Sequence, residues 1–105
     1  MTEETKKIIM ENVYKVANHF NIPNANLVSF KKRNVLLELL NTKDNKAFEI
    51  INILINAYLK IDRIENDKEK QNKKPEHWNM ERAAAMNEKD KAEFLFNQFI
   101  INNKI

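Results

Sequence analysis

A mainly α-helical fold is what this sequence predicts, and three observations predict it. Glycine is absent and proline occurs only at Pro23 and Pro75, whereas sheet-rich folds need many tight turns of positive φ, which glycine supplies. Seventeen asparagines can fill the few left-handed positions and helix caps that a helical bundle requires. Apolar residues also recur at helical spacing over long stretches, as amphipathic helices demand. The expectation is one domain over 1–105, of four to five helices around a central helix at 44–66, with a β-hairpin at 27–40 as an alternative. Apolar residues at 43% and charged residues at 31% suit a folded, soluble chain.

Thr2 is placed to cap a first helix, with Glu3 and Glu4 against its positive pole. Ile9, Val13, Val16, Ala17 and Phe20 then share one helical face. Pro23 ends this helix, because the residue before proline avoids the α region.

Residues 27–41 read in three ways. As one helix, their apolar side chains scatter around the circumference. As a hairpin, Lys31–Asn34 form a four-residue tip with Asn34 taking the left-handed position. In the third reading an extended 27–30 leads into a short helix from Asn34, with Val35, Leu36, Leu39 and Leu40 on one face opposite Glu38. The leucines favour a helix, and the missing glycine counts against the hairpin.

The central segment is the clearest. Asp44 or Asn45 can cap it, and Glu49, Asn52, Asn56, Lys60 and Arg63 recur at steps of three and four as one polar stripe. Its remaining circumference is apolar, so it must be covered on several sides. Its isoleucines alone would favour a strand, but the stripe and the length overrule that. Residues 66–75 carry no apolar side chain, and the stretch to 77 reads as a charged loop or as the fraying end of the central helix, with Trp78 anchoring the chain where it returns to the core. Met80, Ala83 and Ala84 indicate a short helix. Asn87–Asp90 resembles a capping signal before a last helix whose face holds Ala92, Leu95, Phe96, Phe99 and Ile100.

Several function classes lose support from the residues themselves. With no cysteine there is no disulfide framework and no thiolate metal site. The two histidines, His19 and His77, are far apart, and neither stands in a catalytic or metal-binding motif. Glu65, Asp67 and Glu69 alternate but are interrupted by lysine, with no calcium-loop glycine. The expectation is a non-enzymatic protein with no metal and no cofactor. No secretory leader or membrane span is expected, since polar residues interrupt the longest apolar stretch, 47–64. A cytoplasmic protein is therefore predicted.

Net charge is +3, and its distribution is uneven. From Asn12 to Leu37 there are four cations, Lys15, Lys31, Lys32 and Arg33, and no acid, so this window nets +4 and the rest of the chain −1. Adjacent cations with amides nearby suit phosphate recognition. The predicted nucleic-acid contacts are Lys15, Lys31, Lys32, Arg33 and Asn34, with DNA as the expected polymer and a homodimer as the expected state. A second cationic run, Lys68–Lys74, is mostly neutralised by Asp67, Glu69 and Glu76. The competing expectation is a protein-binding helical module (an inhibitor, immunity factor or small assembly subunit). It rests on the apolar surplus of the 44–66 helix and on Phe94 and Ile101, which lie off the main face of the last helix.

Overall fold

The computed structural model describes residues 2–105. Among these there is no strand, and five α-helices follow one another: α1 (Glu3–His19), α2 (Arg33–Lys43), α3 (Asn45–Glu65), α4 (Lys68–Lys73) and α5 (Pro75–Asn102). Two 3-10 turns, Ala25–Leu27 and Phe30–Lys32, join α1 to α2.

α1 begins where Thr2 Oγ1 accepts the backbone N–H of Thr5 at 3.2 Å. It ends in a Schellman motif. Ile22 N–H bonds the Ala17 carbonyl and Asn21 N–H the Asn18 carbonyl, with Asn21 left-handed at φ 60°. Asparagine thus does the work of the missing glycine. Lys104, at φ 54°, closes α5 in the same way, and Ile105 N–H bonds the Ile100 carbonyl at 3.0 Å.

The hairpin at 27–40 does not form. A strand would place Leu36, Glu38 and Leu40 on one face, and so bury a carboxylate with two leucines. A helix separates them: Leu36, Leu37 and Leu40 are buried and Glu38 is exposed. The extended-then-helical reading comes nearest, with its register rotated. Leu37 faces the core, while Val35 and Leu39 face solvent.

Asp44 alone separates α2 from α3. Its carboxylate accepts the Ala47 N–H at 3.1 Å, and its own N–H bonds the Leu40 carbonyl at 2.8 Å. The predicted central helix is α3, the hub that touches α1, α2 and α5. The predicted charged loop is a correction: 66–77 holds α4 and the first turn of α5. Asp67 caps α4 by accepting the Lys70 N–H at 3.2 Å, and Pro75 opens α5, where its fixed φ is at home. The expected break near Asn87 is also absent. α5 runs unbroken for 28 residues, about 42 Å at the usual rise.

Two apolar clusters result. The larger gathers α1, α2, the first half of α3 and the last turns of α5 around Ile9, Val13, Leu36, Leu40, Ile51 and Phe96. The smaller lies where α3 and α5 run on as a pair, and holds Ile61, Ile64, Ala85, Trp78 and Met86. The molecule is accordingly long, 48 × 27 × 19 Å. No helix of the described residues is long and apolar enough to cross a membrane.

Candidate nucleic-acid interface

The chain after α1 folds back along it, and this return builds the cationic site. Asn18 Nδ2 donates to Asn26 Oδ1 at 3.0 Å, and the Tyr14 hydroxyl donates to the Val28 carbonyl. Farther along, Phe30 reaches the first turns of α1, where Lys6 Nζ stands 5.8 Å from its ring centroid. The Arg33 guanidinium lies 4.1 Å from the same centroid, and its Nη1 donates to the Phe30 carbonyl at 3.1 Å. Both distances are cation–π contacts. Phe30 itself packs partly buried against the larger core. The ring therefore fixes two cations that are distant in sequence.

Lys31 and Lys32 follow Phe30 in the chain and are exposed. A 3-10 turn has three residues per turn, so consecutive side chains leave it about 120° apart. Arg33, three residues on, returns to the Phe30 side and lies against its ring, while Lys31 and Lys32 leave the turn in two other directions. Among the described residues, no carboxylate forms an ion pair with Lys31, Lys32, Arg33 or Lys15. Lys6 does have one, with Glu3 at 3.2 Å.

The helix pole beneath these cations is also left positive. α1, α3 and α4 are capped by Thr2, Asp44 and Asp67, and α5 has Glu76 in its first turn. α2 has neither a side-chain cap nor an acid in its first turn, and Ser29 makes no side-chain cap to the 3-10 turn before it. Cations at such a pole are disfavoured by about 0.3–1 kcal/mol each at low salt, so this end is electrostatically uncompensated.

Of the five sequence-predicted residues, Lys31, Lys32, Arg33 and Asn34 fall on this turn and the first turn of α2. Lys15 does not join them. It lies nine residues from Lys6 on α1, about 900° of helix, and so faces the opposite side. Neither Lys6 nor the organising role of Phe30 is evident from sequence. The Glu3–Lys6 spacing is a faint signal, but the approach of Lys6 to Phe30 depends on the return of 21–30.

The remaining chemistry-bearing residues are dispersed. His19 is exposed, with its ring edge-on to Phe20 at 5.0 Å. His77 Nε2 lies 2.8 Å from Glu81 Oε1, which also accepts from Lys70 Nζ at 2.8 Å. The hydrogen bond from Lys70 holds the Glu81 carboxyl below its usual range, and the same bond raises the Lys70 ammonium. Burial, followed by the hydrogen bond to Glu93, pushes the Tyr58 phenol well above its ordinary value. No group of three or more potential metal ligands occurs among the described residues. The hollow at the α4–α5 joint, lined by Lys73, Lys74, Pro75, Glu76 and His77, is open to solvent. Comparison of the chain with protein-family models, with curated proteins and with solved structures finds no match.

Proposed function

We propose that this protein is a small, non-enzymatic nucleic-acid-binding accessory or regulatory protein that contacts DNA phosphates through the cations around Phe30. The observation that carries this reading is a pair of exposed lysines with no carboxylate partner among the described residues, Lys31 and Lys32, next in the chain to an Arg33 held on the Phe30 ring. Adjacent cations in sequence suit a polymer of phosphates. Lys6 extends the cluster from α1, and the uncapped pole of α2 adds to the same positive potential.

A gel shift with salt titration tests the reading. Binding weakens steeply as salt rises. Changing Lys31, Lys32 and Arg33 together to alanine lowers affinity and flattens the salt slope by about one unit for each phosphate no longer neutralised. Lys15→Ala, on the opposite side of α1, has a smaller effect. Equal affinity for the triple variant and the parent rejects the site.

A second reading is a protein-binding helical module, and one observation favours it. Met80, Phe94 and Ile101 are 72%, 63% and 67% exposed, and their spacing in multiples of seven puts them on one stripe of α5. A second copy of the chain or another protein would cover that stripe. Light scattering separates the two cases: a clean monomer at high concentration counts against self-association.

A further inference from the structure

We infer that the cationic turn recognises the sugar–phosphate backbone and not the bases, so that binding is indifferent to sequence; this rests on the nucleic-acid reading above. Proteins that hold unpaired strands rely on aromatic rings on which bases stack, and here the nearby rings are committed. Phe30 is engaged by Arg33 at 4.1 Å and Lys6 at 5.8 Å and packs on the core. The Tyr14 hydroxyl is bonded to the Val28 carbonyl, and its ring also packs on the core, as does Phe20. Among the described residues Phe94 is the one largely exposed aromatic, and it belongs to α5, away from the Phe30 turn in the chain.

Reading base edges is closed off by different chemistry. That mode sends a helix into the major groove with polar side chains along its outer face. The exposed side of α2 carries Asn34, Val35 at 58% and Leu39 at 47% exposure, Glu38 between them, and Asn41, Thr42 and Lys43 only at its far end. Glu38 stands one turn beyond Asn34, so pressing α2 into a groove would set a carboxylate against a polyanion. The cations sit at the end of α2, where they can meet phosphates while the rest of the helix stays clear.

The test is fluorescence anisotropy of the full chain at one low salt concentration, with equal-length probes: oligo(dA), oligo(dT), an abasic strand of the same phosphate count and a mixed-sequence duplex. Affinities of the three single strands agreeing within about twofold, with the duplex bound through the same cations, are the expected result. One stacked base strengthens binding about fivefold or more. An abasic strand weaker than the base-bearing strands by that factor, or a comparable gap between oligo(dA) and oligo(dT), overturns the inference and leaves nucleic-acid binding standing. Binding to none of the four probes overturns both. Binding that survives in a Lys31→Ala, Lys32→Ala variant relocates the contact and overturns the inference about this turn.

Discussion

The two ends of α3 are held by different physics. Its first half lies in the larger cluster, where side chains from four helices exclude water. Its second half lies beside α5 over a cluster of only five side chains. There, ion pairs do much of the joining. Lys60–Glu88 at 3.0 Å and Arg82–Glu65 at 3.0 Å bridge α3 and α5, and Lys70–Glu81 at 2.8 Å ties α4 to α5. Exposed ion pairs contribute about 0–1 kcal/mol each, whereas fully burying one aliphatic side chain contributes about 1.5–3 kcal/mol. The larger cluster therefore sets global stability, and the distal pair of helices opens first. The comparison also throws the cationic turn into relief. In the distal half Lys60, Lys70, Lys73, Arg82 and Lys89 have carboxylate partners, and among the described residues Lys31 and Lys32 have none.

The largest expected effect comes from breaking the better-packed side. Ile51 is fully buried, and Ile51→Ala costs about 2–5 kcal/mol, read as a shifted denaturant midpoint by far-UV circular dichroism. Ile61→Ala, in the smaller cluster, falls at the low end of that range. Trp78→Ala is comparable, at or below about 3 kcal/mol, the low end for a buried aromatic, since Trp78 is only partly buried. Its indole Nε1 donates to the Ile64 carbonyl at 2.7 Å, so its removal also frees the end of α3. Hydrogen exchange should then show protection abolished over 60–85 and retained in α1 and α2. An equal decrease everywhere would erase the distinction between the halves. Asp44→Ala removes the cap of α3 and costs about 1 kcal/mol, measured in the same melts.

Acid produces the smallest effect, and a local one. The Glu81 carboxyl titrates below its unfolded value, so its contribution is present above the unfolded pKa and is lost as pH falls through the folded one. Acidification therefore loosens α4 from α5 before the larger cluster responds, and Glu81→Gln removes this step. At the alkaline side the sign reverses. The raised phenol of Tyr58 favours the folded chain below its unfolded pKa, and that advantage fades as pH rises above it.

Local signals explain which parts of this molecule are legible in sequence. α1 and the last turns of α5 each declare one apolar face, α3 declares one polar stripe, and the caps of α1 and α3 are adjacent residues. α4 and the start of α5 have almost no apolar residues to repeat. Their order comes from partners far along the chain, Lys70 with Glu81 and Trp78 with Ile64. Asn87 looks like a cap but lies inside a helix, because Ala83–Ala85 before it and the Lys89–Glu93 pair after it both support continuation. The cationic site is half legible for the same reason. Lys31–Asn34 stand together in sequence, whereas Lys6 arrives only through the return of 21–30, and Lys15 is turned away by helical geometry.

Trp78 is the only tryptophan, and it belongs wholly to the distal cluster. The chain thus contains its own optical reporter for one end. Indole emission follows the opening of the α3–α5 pair, while far-UV ellipticity averages over every helix. Transitions that fail to coincide between these two probes would mark a departure from two-state melting, with no label attached.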